Sequence, residues 1–168
     1  SRTLIQFIDL GFNQNFHNSS ITFGKKKFAR GDRFPLLYAS ENYAPNEYYK
    51  VIIYRVMETG DQNAPYSLEV VQTINMPDPH ANEILYPHCF YDRDGNCFWI
   101  EAYSLDKKEN VYTRYKLPRF KAGSTVDMGK PLRTFRLPRD PKTDQAIYKR
   151  GDRMYQVVGA RKTGKLRV

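Results

Sequence analysis

The sequence predicts an all-β protein built from four-stranded antiparallel sheets that repeat about every sixty residues, and three observations predict it. The first is composition. Among 168 residues there are 13 Tyr, 10 Phe and 1 Trp, with 10 Gly, 10 Pro and only 4 Met, a mixture suited to pleated strands and turns. The second is that no window carries a 3.6-residue apolar period over ten or more residues, so helices should be scarce. The third is self-similarity along the chain at one common spacing.

The repeat is read from two landmarks. Polar turns precede aromatic-led apolar strands three times: residues 29–33 before FPLLYASE (34–41), residues 92–96 before CFWIEAYS (97–104), and residues 149–153 before MYQVVGA (154–160). The turn aspartates Asp32, Asp94 and Asp152 are spaced by 62 and 58. A second segment recurs as TLIQFIDLG (3–11), EVVQTINMP (69–77) and PLRTFRLP (131–138), with closing residues Leu10, Met76 and Leu137 spaced by 66 and 61.

Between these landmarks each period takes a short first strand, at 19–24, 88–91 and 145–149, and a more polar third strand, at 48–58 and 110–118. Four antiparallel strands per period, with polar loops between them, are the pattern of propeller blades. The expected boundaries are an outer strand of a preceding blade at 1–10, blades at 11–77 and 78–138, and an incomplete blade at 139–168. This makes about two and three-quarter blades, fewer than the roughly 4 to 8 that close a ring. The remaining blades are expected from a longer chain, since this one opens on Ser1, or from a second copy. No apolar run approaches the ~18 residues of a membrane helix.

Turn chemistry predicts one register in detail. With Asp94-Gly95 at the hairpin turn, Asp92 faces Cys97 and Cys89 faces Ile100. The two cysteines then lie three residues apart on opposite faces, roughly 10 Å, too far for a disulfide, and two free thiols are expected.

Charge is unevenly placed. The net +9 divides into −3 over residues 1–104 (9 Lys/Arg against 12 Asp/Glu) and +12 over residues 105–168 (18 against 6). Any anion-binding footprint therefore belongs to the C-terminal part.

The stretches HNSSITFGKKKFARGDRFPLLYASE, LEVVQTINMPDP and YPHCFYDRDGNCFWIEAYSL, and the QAIYKRGDRMYQVVG segment, resemble the uncharacterised secreted β-propeller proteins of gut Bacteroidetes, over roughly residues 3–168. The resemblance implies a six-bladed ring about twice this length, of which the chain matches the middle, exported to the periplasm or cell surface, with no assigned activity. The basic bias of residues 105–168 departs from that family.

Candidate ligand-binding residues follow from the repeat. Asn18, His88 and Gln145 hold matching places at the starts of the first strands, with His17 beside the first, as a polar ligand at a channel mouth would need. Glu41 and Glu101 lie near the ends of equivalent second strands, offset by a position or two, and are the pair of acids that two-carboxylate glycoside hydrolysis would use. His17, His80 and His88, the only histidines, lack metal-site spacing, and neither a metal nor another cofactor is expected. The run from Gly159 to Lys165 lacks the Ser/Thr and the helix of a phosphate loop, and the two Arg-Gly-Asp tripeptides sit at turns. Three functions remain: a noncatalytic recognition module for a polar ligand or partner protein, a glycan-active hydrolase or lyase, and an anion or nucleic-acid binder through residues 105–168. No catalytic residue is assigned, and nucleic acid is the less favoured partner.

Overall fold

The computed structural model describes residues 4–10, 16–43, 48–77, 83–106, 108–140, 142–150 and 153–167. It holds twelve strands and, among the described residues, no helix, and so none long and apolar enough to cross a membrane. The strands are β1 (Phe16–Phe23), β2 (Leu37–Tyr43), β3 (Tyr48–Glu58), β4 (Tyr66–Pro77), β5 (Ile84–Asp92), β6 (Cys97–Ser104), β7 (Glu109–Lys116), β8 (Ser124–Asp127), β9 (Arg133–Pro138), β10 (Thr143–Arg150), β11 (Arg153–Ala160) and β12 (Leu166–Arg167).

They form three sheets in chain order, β1-β2-β3-β4-β8, β5-β6-β7-β9 and β10-β11-β12, none of which closes on itself. Apart from β8, neighbouring strands in each sheet pair antiparallel. The expected hairpin register is present: Asp92 pairs with Cys97 and Cys89 with Ile100. Both cysteines are free and buried. The connecting turn spans residues 93–96, with Asn96 at φ 49°, a left-handed conformation that asparagine tolerates better than most residues. The Asp92 carboxylate accepts from the Asp94 N–H at 3.1 Å and steadies this turn.

Three local expectations change. Residues 4–10 form no strand; instead the Gln6 side-chain amide brackets the start of β4, donating to the Tyr66 carbonyl at 2.8 Å and accepting from its N–H at 2.9 Å. A side-chain amide offers the same donor and acceptor as a peptide group, so it substitutes for a ladder pair. The first hairpin is not tight: Phe23 pairs with Leu37, leaving residues 24–36 as a loop. Asp32 in that loop holds the Arg55 guanidinium by two bonds, 2.9 Å to Nε and 2.6 Å to the terminal nitrogen, while Arg55 lies 4.7 Å from the Phe28 ring centre. The first Arg-Gly-Asp tripeptide is thus anchored by its aspartate, as a structural role demands. Gly151 and Asp152 of the second lie outside the described residues.

The third change is β8. This segment leaves the second sheet after β7 and pairs parallel with β4 of the first, Gln72 opposite Ser124 and Asn75 opposite Asp127. Backbone bonds from Gly123 N–H to Val71 O (2.6 Å) and Met128 N–H to Asn75 O (2.8 Å) bracket it. Val126 and Met128 pack inward on the common core, so the crossing covers an otherwise open strand edge and joins two sheets. Val126→Ala is expected to cost about 1 kcal/mol in a urea titration. Thr125→Ala, on the exposed side, should change stability by less than about 0.5 kcal/mol.

One core lies between the first and second sheets. Tyr38, Tyr49, Val51, Ile53 and Ile74 meet Cys89, Tyr91, Phe98, Ile100 and Tyr115, all buried in one cluster. Tyr38 and Tyr91 stack with centroids 3.9 Å apart, and the Ser40 hydroxyl donates to the Cys89 carbonyl at 3.3 Å. Because strand side chains alternate between faces, Phe98, Ile100 and Ala102 of β6 face the first sheet, and Cys97, Trp99 and Glu101 face away from it. That second face carries its own cluster of Cys97, Trp99 and Tyr112, with Phe90, Phe135 and Leu137 around it.

Candidate functional site

The polar cluster that the fold assembles lies on this second face, near the end where the chain passes from sheet to sheet. Register sets it. Glu101 of β6 stands opposite His88 on β5 and Tyr112 on β7, three neighbours across one face. Tyr112 is buried, and the side chains of Asn110 and of Gln156 on β11 bear on its phenol. The third sheet therefore contributes a side chain to a site built on the second. Arg139, in the link to β10, lays its guanidinium 3.6 Å from the centre of the Tyr103 ring, two residues beyond Glu101.

Electrostatics separates these groups. Desolvation raises the Glu101 carboxyl above the ordinary range, with the His88 charge opposing it. Burial first, and the Glu101 charge second, push the Tyr112 phenol up to about 12, against the side chains of Gln156 and Asn110. A carboxyl inclined to keep its proton, a phenol that stays protonated, an exposed imidazole and amide groups together offer donors and acceptors to a hydroxyl-rich ligand. Trp99, on the same face, buries an indole N–H that has no acceptor among the described residues, a further donor beside the cluster.

The residues expected from sequence fare differently. His88 and Glu101 are brought together as cross-strand neighbours. Asn18 pairs with Glu41 and Gln145 with Val158, so all three first-strand positions have second-strand partners, but the side chains of His17, Asn18 and Gln145 lie outside the described residues, as does all of His80. Glu41 is on the other side of the first sheet. Its even-numbered neighbours Tyr38 and Ser40 face the second sheet, so Glu41, with Lys50 opposite, faces away. Glu41 and Glu101 therefore project from faces of opposite sense, separated by the main core.

Glu41 is 2% exposed, and its Oε2 has no hydrogen-bond partner among the described residues; burial raises its carboxyl to about 6, offset in part by the Lys50 charge. Among the described residues no group of three or more His, Cys, Asp or Glu is placed to hold a metal ion. Tyr112 and Gln156 escape detection in the sequence because neither lies in a motif. The alternation of ENVYTRYK places Tyr112 on a face but not which neighbour it meets. Comparisons with protein-family models, with curated proteins and with solved structures found no match.

Proposed function

We propose that the protein is a noncatalytic recognition module of propeller-like build, which binds a hydroxyl-rich polar ligand or partner group at the His88–Glu101–Tyr112 cluster. The observation that carries this reading is Glu101 itself: a desolvated carboxyl flanked across the sheet by His88 and Tyr112, with Gln156 arriving from the next sheet.

The propeller reading is supported by the repeat along the sequence and by the face-to-face packing of the first sheet on the second. A ring requires further sheets of this kind, from a longer chain or a second copy. With the resemblance to secreted propellers goes a location outside the cytoplasm. Two-carboxylate hydrolysis draws less support, because Glu41 and Glu101 do not share a pocket-facing side and retaining or inverting chemistry needs acids about 5–10 Å apart on one substrate.

The test is a neutral glycan array with the intact chain, followed by calorimetry on any oligosaccharide that binds. Binding without product release is expected, weakened at least tenfold, about 1.4 kcal/mol, by His88→Ala or Glu101→Ala. Product release from the bound glycan, or binding indifferent to both substitutions, defeats the proposal.

A further inference from the structure

We infer that the outer edge of the second sheet, residues 133–136 of β9, docks an extended peptide strand of a partner protein, parallel to β9, as the first sheet takes up β8. The two outer strands match along the repeat. Aligning Met76-Pro77 with Leu137-Pro138 puts residues 72–75 of β4 on residues 133–136 of β9, with Thr73 on Thr134 and Ile74 on Phe135. Their faces agree as well: Ile74 faces the second sheet, and Phe135 lies on the face of the second sheet turned away from the first. On β4, residues 72–75 are the stretch that β8 pairs with. On β9, residues 133–136 pair with β7, and β9 is the last strand of its sheet among the described residues.

The two edges differ in how their clusters are closed. Val126 of β8 stands opposite Ile74, and with Met128 it packs on the core between the first and second sheets. At the matching edge Phe135 and Leu137 stay only partly buried beside Trp99 and Tyr112, with the Arg133 guanidinium 5.2 Å from the centre of the Phe135 ring. The Arg139 N–H donates to the Lys108 carbonyl at the start of β7. Strand alternation then turns the N–H groups of residues 133, 135 and 137 towards β7 and those of Thr134 and Arg136 outward.

A row of outward backbone donors and acceptors is matched by another extended backbone, which neither a sugar nor a nucleic acid offers. The side chains of the incoming strand follow from β8. An aliphatic residue takes the place of Val126 opposite Phe135, and a carboxylate takes the place of Ser124 opposite Arg133. Glu83 and Glu109 already hold Arg136 at 3.2 and 3.5 Å, so the acid belongs at Arg133 and not beside Arg136. A second copy of this edge fits poorly, because β9 laid on β9 sets its arginines against each other.

The probe is a fluorescein-labelled nonapeptide with the sequence of residues 121–129 carrying Ser124→Asp, titrated into the intact chain and read by anisotropy. Saturable binding below about 1 mM is expected, with a scrambled peptide of the same composition weaker by about tenfold or more. Thr134→Pro removes an outward N–H and spares those facing β7, and should weaken the peptide about tenfold while circular dichroism shows the chain folded. Arg133→Glu should weaken it at least about threefold and should prefer a peptide carrying Ser124→Lys; this charge swap decides alone if Thr134→Pro unfolds the chain. No saturable binding, equal binding of the scrambled peptide, or no effect of either substitution overturns the inference. So does sedimentation of the peptide-free chain as a dimer that Thr134→Pro dissolves, since a second copy is then the occupant.

Discussion

Phe98→Ala is expected to cost about 3–5 kcal/mol, the largest loss of any single substitution considered, and to leave the chain mostly unfolded if its total stability lies at the low end of the usual ~5–15 kcal/mol. Phe98 has no exposed surface and stands where β6 of the second sheet meets β3 of the first. Its ring meets Tyr49 edge-on at 6.3 Å between centroids and Tyr115 at 6.4 Å. Removing it empties a ring-sized volume that a close-packed core fills only in part, so the lost transfer energy and the cavity act together. Phe120, 38% exposed and touching Phe28 edge-on, is the control; Phe120→Ala should cost less than about 1 kcal/mol. Urea midpoints of the two variants decide the matter. Equal losses would mean that the first and second sheets do not depend on a shared core.

Glu41→Gln is expected to stabilise the protein by about 1–2 kcal/mol at pH 7. The carboxyl is buried with one oxygen unpartnered among the described residues, and its pKa is raised from 4.5 to about 6, so the native state holds the proton more tightly than the unfolded chain. The native chain therefore binds more protons than the unfolded chain between those values, and stability falls as pH rises through that window. One pKa unit corresponds to about 1.4 kcal/mol, and Lys50 across the strand pair already offsets part of the desolvation. Glutamine keeps the shape without the charge. Its advantage over the wild type should be full at pH 7 and vanish below about pH 4.5 in paired urea titrations at each pH. A variant no more stable at pH 7, or an advantage unchanged at pH 4, would show that Glu41 is solvated in the native state.

Local sequence carried much of the framework. Turn residues at 92–96 set the pairing of Asp92 with Cys97, and with it the separation of the two cysteines and the meeting of His88 with Glu101. The short β8 segment did not stand out, because four residues alternating Ser, Thr, Val and Asp show too little period to mark a strand, and its parallel partner lies fifty residues upstream. Glu41 and Glu101 sit near the ends of equivalent second strands but offset by a position or two, and one residue of offset in a strand moves a side chain to the other side.

The sequence by itself determined that the chain is all-β and how the second hairpin is registered. These follow from neighbours a few residues apart, through turn chemistry and the two-residue period of a strand. Only the tertiary structure decided which faces of the first and second sheets are inside and that β8 crosses to the first sheet. Alternation assigns residues to two faces but leaves the identity of each face open until another sheet is packed against one of them. Burial, and with it the raised carboxyls of Glu41 and Glu101, is a property of that packing.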